Sequence, residues 1–369
     1  MNIGSVFTRA HCHVAPEVTN EWIQERLNAG ALRDIPDGKK SSEGFVPYGD
    51  PERREFQGFE HAKGEYTVFR FARLRKTVPA AAVKMRVNAE IAEAKAKLGR
   101  RPARDVIQEI KDRIAERMLD QAFPVPSSLP VVWNTRTGDM LIGTASVAAL
   151  DDFFTRFEKA FQLYPRVQWH SRWAVRLIDE QKTKVNLRAW FETESAESLI
   201  SARPLGNDFL TWLWYFAERE NKGLELLEGG TASVRVVNKA LLVNPIDRSE
   251  RIVCSSPSGQ LVEARKALQI GKVVESCGLW IGAKVEEEYT LGLDSGLMSW
   301  RSVQLPHALP DPEADEDALF LERMSHIETV RSVLDALYRK FLAERLSPNW
   351  DRSIRELMRS WFAQVGEDA

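Results

Sequence analysis

The chain is poor in cysteine, with Cys12, Cys254 and Cys277 in 369 residues. An odd, widely spaced set makes no disulfide framework and fits a reducing cytoplasm. No apolar run approaches the roughly 18 residues a membrane helix needs, so no span and no membrane partner are expected. The opening MNIGSVFTRAHCHV lacks the charged-then-apolar pattern of a secretory signal. Neither sign of charge dominates, since 51 Lys and Arg against 53 Asp and Glu leave −2. That balance argues against indiscriminate electrostatic binding, so any nucleic-acid site must come from local segregation of charge. The sequence holds no GxxxxGK[ST], no GxGxxG after a strand, no HExxH and no glycine-rich phosphate cradle. It shows no internal repeat.

What is present is ordinary for a globular protein, 44% apolar and 28% charged. The length exceeds one comfortable core, so two or three modules are expected. The pattern of elements predicts an α+β fold. An α+β module spans 1–165 and carries a helical hairpin at 79–121. A β-rich module spans 166–310. An acidic linker and C-terminal helices fill 311–369, where 13 acidic residues face 8 basic ones.

The stretch from Thr77 to Phe123 organises the first module. Thr77 is a candidate helix cap, Pro79 suits a first turn, and alanines, Met85, Glu90, Glu93, Lys95 and Lys97 favour helix. Gly99 is a natural helix terminator, and Pro102 restarts a second helix whose Ile107, Ile110, Ile114 and Met118 recur at helical spacing. Between Lys84 and Arg104 lie seven basic and two acidic residues. Such a tip on a net-acidic chain would be the first thing a phosphate backbone meets, although charged helix faces are more often only solvated. Arg73, Arg75 and Lys76 add charge just before the hairpin.

Elsewhere the pattern predicts a strand at Ile3–Arg9, a helix at Glu17–Ala29, a long loop over 30–64 and a strand at Tyr66–Ala72. FPVPSSLP (Phe123–Pro130) breaks the second helix, Val131–Ala145 reads as a β-hairpin and Val147–Phe161 as a helix. Trp173–Leu177 and Val185–Phe191 read as a hairpin around DEQKTK (Asp179–Lys184). Phe209–Glu218 reads as a buried helix. Short strands are expected at Ala232–Val236, Leu241–Val243 and Arg251–Cys254, then a helix at Glu263–Ile270. A meander follows over Gly271–Ile281, Val285–Leu293 and Met298–Leu305. Two helices close the chain, at Leu319–Leu346 and Trp350–Gln364.

Three other chemistries have candidate residues in the sequence. His11-Cys12-His13 could ligate a metal, but strand alternation sends Cys12 away from the two histidines and nothing completes the set. A Mg²⁺-dependent nuclease could use Glu180 and Lys182 of an E-x-K element beside Asp179, or Glu286 and Glu288 on one strand face, with Glu287 opposite. DEQKTK, however, reads as a solvated tip. Trp212 and Trp214 could stack bases, but their apolar surroundings favour core packing.

Several short motifs resemble the RdgC family of bacterial recombination-associated proteins. They are GFVP (Gly44–Pro47), NAEIAEAKAKLGRR (Asn88–Arg101), MLDQAF (Met118–Phe123), the Trp133–Gly138 hairpin and EARKALQIGKVV (Glu263–Val274). The resemblance implies a curved subunit that assembles as a ring-shaped homodimer around duplex DNA. It implies sequence-independent binding, a limiting effect on a RecA-type recombinase, and a cytoplasmic, nucleoid-associated location. No cofactor and no catalysis are expected. By position Arg100, Arg101 and Arg104 match a DNA-facing basic segment, helped by Lys97, Arg75 and Lys76. Phe123 matches an aromatic at the subunit contact, with Gln121 beside it where the family has arginine. Ser255–Gly259 (SSPSG) replaces a basic finger-like turn. The remaining alternatives are the nuclease and a protein-interaction scaffold acting through the acidic C-terminal helices.

Overall fold

Strand β4 (Tyr66–Lys76) and strand β5 (Pro124–Asn134) pair antiparallel along their whole length, from Tyr66↔Asn134 to Lys76↔Pro124. The helical hairpin is what joins them. Helix α2 (Ala80–Leu98) leaves the end of β4, and helix α3 (Arg104–Asp120) returns to the start of β5. The computed structural model describes residues 4–15, 18–181, 202–219, 223–226, 230–256, 262–284, 287–306, 315–347 and 349–363.

Around this pair lies the first sheet, in the order β2 (Ser41–Pro47), β4, β5, β6 (Asp139–Ile142), β1 (Thr8–His11) and β7 (Arg166–Val167), with β3 (Ala62–Lys63) also on β4. Helices α1 (Asn20–Ala29) and α4 (Val147–Phe161) bury Leu27, Phe153, Phe157 and Phe161 on one face, against Phe45, Phe69 and Trp133. Phe157 and Phe161 stack with ring centres 4.3 Å apart. This is the spacing a helix makes with its i and i+4 aromatics.

The second sheet runs β10 (Arg251–Ser256), β9 (Thr231–Val243), β11 (Val273–Lys284), β12 (Glu287–Asp294), β13 (Trp300–Gln304), with β8 (Leu224–Glu225) on β9. Residues just before β1 stitch it to the first sheet. Phe7 N–H donates to Trp300 O at 2.9 Å, and Trp300 N–H donates back to Phe7 O at 2.8 Å. Helices α5 (His170–Gln181), α6 (Ala202–Arg219), α7 (Val262–Gln269) and α8 (Glu316–Arg345) share the large second core. After α8 come a π-helical turn (Trp350–Ile354) and helix α9 (Arg355–Ala363). Long α8 spans both sheets. Phe320 meets Tyr66 of the first and Tyr48 just past the end of β2, and the His326 ring packs on Tyr289 of the second.

Several local expectations change. Residues 30–64 are not loop throughout, because β2 and β3 lie within them. Gly44 begins the GFVP element for a steric reason. A Cβ there would sit 2.4 Å from the Leu32 backbone nitrogen, where the chain crosses to bridge Phe45. The proline-rich stretch after α3 is strand, since β5 starts at Pro124 rather than Val131. Trp173–Leu177 lies in helix α5, with Trp173, Ala174 and Leu177 buried at i, i+1 and i+4. Asp179 and Glu180 therefore close a helix and do not form a hairpin tip. Val185–Phe191 lies outside the described residues. Strand β9 is one long strand where two short ones were expected. The first strand starts at Thr8, and Ile3 lies outside the described residues.

Candidate nucleic-acid interface

The hairpin stands on its own apolar seam. Val87, Ile110 and Ile114 are buried, with Val83, Ile91 and Met118 packed beside them, and this cluster is separate from both main cores. Ile107 is only half-buried and is not part of it. An Arg113–Glu90 ion pair links the two helices. Pro79 takes the capping position of α2, and no side-chain cap bond is made, so Thr77 does not cap. The 19 residues of α2 give the arm a length of about 28 Å.

At the far end Gly99 adopts φ 65°, the left-handed conformation that turns the chain back at no steric cost. Lys97, Arg100, Arg101 and Arg104 surround this turn, and all four are exposed. None forms an ion pair with a described residue. The positive excess belongs to α2 and the turn. Helix α3 carries Asp105, Glu109, Asp112, Glu116 and Asp120 against Arg104, Lys111, Arg113 and Arg117. The arm is thus cationic along one helix and at its tip, and mildly acidic along the other.

The structure divides the six expected cations between two places. Arg75 and Lys76 lie at the foot of the arm, a helix length from the other four. Arg75 is exposed between Ser41 of β2 and Val125 of β5. Lys76 Nζ donates to the carbonyl oxygen of Asp120 at 3.0 Å. Arg73 is occupied, since its guanidinium pairs with Glu43 at 2.9 Å and with Asp152.

Gln121 and Phe123 also stand at the foot. Gln121 ends α3, its N–H donating to Arg117 O at 3.3 Å, and its side chain is exposed. Phe123 is 90% exposed and Val125 56%. This end of β5 has an open edge, because β6 pairs only with Val131–Trp133. Gly143 N–H donates to Pro130 O at 2.8 Å, so even-numbered residues turn their backbone polar groups towards β6. Past the end of β6 those positions are Pro124, Pro126 and Ser128. The two prolines have no N–H, so the edge has almost nothing to donate to another strand.

The rival chemistries fare differently. Among the described residues no group of three or more His, Cys, Asp or Glu is placed to hold a metal. Cys12 is buried, which pushes its thiol up to about 12. Glu180 lies on α5, and Lys182 and Glu286 lie outside the described residues. Glu288 accepts a hydrogen bond from Trp280 Nε1 at 3.2 Å. Trp212 and Trp214 are core residues, each 1% exposed. Their indole N–H groups donate to Glu344 at 2.6 Å and to Glu218 at 2.7 Å.

One charged cluster was not foreseen. Asp139 of β6 meets Arg176 of α5 and, at 2.7 Å, Arg331 of α8. Burial alone would raise the Asp139 carboxyl, but His11, Arg176 and Arg331 outweigh it and hold the acid far below the usual carboxylate range. Nearby, Arg9 Nη1 lies 3.2 Å from Asp335, which also accepts from Trp173 Nε1 at 2.7 Å. The adjoining cavity, lined by Arg9, Tyr66, Asp139, Glu328 and Arg331, has a volume of about 20 Å³. That is room for a single water and not for a nucleotide. The cluster is a clasp between the first sheet and the helices beneath it.

The family model described as "Putative exonuclease, RdgC" matches residues 8–202, from β1 through the arm to α5. The chain belongs to the RdgC family. The recombination-associated protein RdgC of Cupriavidus pinatubonensis is 27% identical to it over 110 residues, which is 30% of this chain and 37% of that protein. The chain thus aligns with little more than a third of that relative. The arm lies wholly inside the span that matches the RdgC family model, whereas the second sheet lies beyond it. No helix among the described residues is long and apolar enough to cross a membrane.

Proposed function

We propose that this RdgC-family protein binds duplex DNA without sequence preference and takes part in recombination. Two copies close into a ring around the duplex and limit access of a RecA-type recombinase. Lys97, Arg100, Arg101 and Arg104 neutralise phosphates at the arm tip, and Arg75 adds a contact at the foot. Phe123, with Gln121 beside it, forms part of the contact between subunits. The protein acts in the cytoplasm at the nucleoid, without cofactor or catalysis.

One observation carries this reading. A projecting arm ends in four exposed cations that no described acid neutralises. Sequence-independent binding rests on phosphate contacts and needs neither a high net charge nor side chains that read bases. The relative's name supplies the link to recombination. A closed ring adds retention beyond contact energy, since release requires an interface to open.

The test is duplex affinity across a salt series, in EDTA, on two unrelated sequences. Each neutralised phosphate contributes about −0.9 to the log–log slope. A slope of about −4 per protomer, equal on both sequences, supports the reading. Absence of binding at low salt overturns it and favours a protein-interaction scaffold. The wording of the family model favours a second reading, a nuclease. Shortening of the DNA on adding Mg²⁺ would establish it.

A further inference from the structure

Among the described residues, the second sheet is covered by helices on one face only. Residues such as Val234, Val236, Leu279, Ile281 and Leu291 are buried towards the helices. The alternate positions face outward, and no described helix packs on them. At the centre of this open face, Trp280 stands opposite Arg235 on β9 and Thr290 on β12. The Arg235 guanidinium lies 4.9 Å from the centre of the indole. The indole N–H is tied to Glu288, which fixes the ring plane.

The surroundings are bare, and three exposed cations share the face with the Glu288 carboxylate. A Cβ on Gly282 would come within 2.6 Å of the Trp280 ring, so the indole needs glycine at that position. On the other side of Trp280, Gly278 faces Gly292 across the ladder, leaving a strip without side chains. Arg235, Lys239 and Arg251 are exposed on the same face, and none has an acidic partner among the described residues.

We infer that this open sheet face is a second nucleic-acid site, in which bases of a single strand stack on the Trp280–Arg235 pair. Planar aromatic and guanidinium surfaces bind any base through its face, and a flanking row of cations follows the phosphates. The bare glycine strip lets the strand approach the sheet. A duplex hides its base faces in its own stack, so this site selects single strands, whereas the arm reads only the backbone. The site lies on the second sheet, apart from the arm. A protein with both surfaces holds a duplex and an unpaired strand at once.

Trp280→Ala and Trp280→Phe are compared with the wild type for binding of an oligothymidylate, a matched abasic oligonucleotide and a duplex, with thermal unfolding as a control. The expected result is a loss of about 5- to 150-fold in oligothymidylate affinity for Trp280→Ala. Trp280→Phe should retain most of it, and duplex affinity should not change. Abasic strand should bind wild type and Trp280→Ala alike. Unchanged oligothymidylate binding, or an equal loss on all three ligands, overturns the proposal. Should Trp280→Ala fail to fold, photocrosslinking of iodouracil-substituted strand to the wild-type protein replaces it. A crosslink on Val273–Lys284 supports the site, and crosslinks confined to the arm refute it. Failure of duplex binding alone would count against the arm reading and leave this one standing.

Discussion

Lys76 Nζ donates to the carbonyl oxygen of Asp120 at 3.0 Å, tying the last residue of the strand that leads into the arm to the last residue of the helix that leads out. A cation at a helix C-terminus satisfies a carbonyl that lacks an intrahelical partner and interacts favourably with the helix dipole. Lys76→Met should therefore loosen the foot of the arm. Amide exchange in α2 and α3 should speed up while exchange in β9 and β11 stays as it was. The duplex salt slope should fall by less than it does for loss of one tip arginine.

Charge reversal at the tip is the complementary experiment. Arg100→Glu, Arg101→Glu and Arg104→Glu combined should lower the duplex salt slope by about 2.7 units per protomer, on any sequence. The three side chains touch no core, so the unfolding temperature should stay within a degree or two. An unchanged slope would remove the arm tip from the DNA contact.

Phe123→Glu separates association from folding. The side chain is 90% exposed, so its loss removes almost no burial within the subunit. Sedimentation equilibrium should show the mass of a monomer, with an unchanged circular dichroism spectrum. A dimer of unaltered affinity would place the subunit contact elsewhere.

His170 is fully buried. Burial pulls its pKa down to about 3, below the ordinary value of 6.5. The folded state keeps the ring neutral while the unfolded state takes up a proton. Stability is therefore intact above about pH 6.5 and falls as the pH drops from there towards 3. The loss should reach about 2 kcal/mol by pH 5. Chemical denaturation from pH 7 to pH 5 measures it, and His170→Gln should flatten that part of the curve.

The Asp139 clasp makes a separate, more acidic prediction. Its depressed carboxyl contributes stability above the ordinary carboxylate range, and that contribution is lost as the pH falls below about 4. Asp139→Asn leaves Arg176 and Arg331 without their shared partner and should cost about 3 kcal/mol at neutral pH. Limited proteolysis should then cut between the first sheet and α8 sooner than in the wild type.

Much of the fold could be read where its cause is local. Helix α4 follows the spacing of Leu150, Phe153 and Phe157, with Ser146 as its cap. The arm turn follows Gly99, and the tip charges are contiguous in the chain. What depends on distant partners left no local trace. Strand β5 can begin among prolines because Pro124 and Pro126 turn away from β4, and the residues between them make the bonds to it. Helix α5 resembles a strand in its short run of apolar residues, and only its packing against α6 and α8 reveals the helical period. The clasp joins Arg9 to Asp335, and no window along the chain contains both. Lys76 reads in the sequence as a DNA-facing cation, and only the register of β4 and β5 shows that it also stands beside the end of α3. Trp280 stands apart from the other tryptophans only once the faces of its sheet are known.

The arm enters and leaves the body at Lys76 and Pro124, which are ladder partners. A long excursion of chain therefore begins and ends at nearly one point in space. Because the two feet are held together by the sheet, the entropy of closing the excursion grows only slowly with its length, by about 0.6 kcal/mol per doubling. Whole helical turns can be added to or removed from α2 and α3 in step without disturbing either sheet, provided the seam stays in phase. Arm length is thus a nearly free variable in evolution, and it would set the reach of the cationic tip while the body that carries it stays the same.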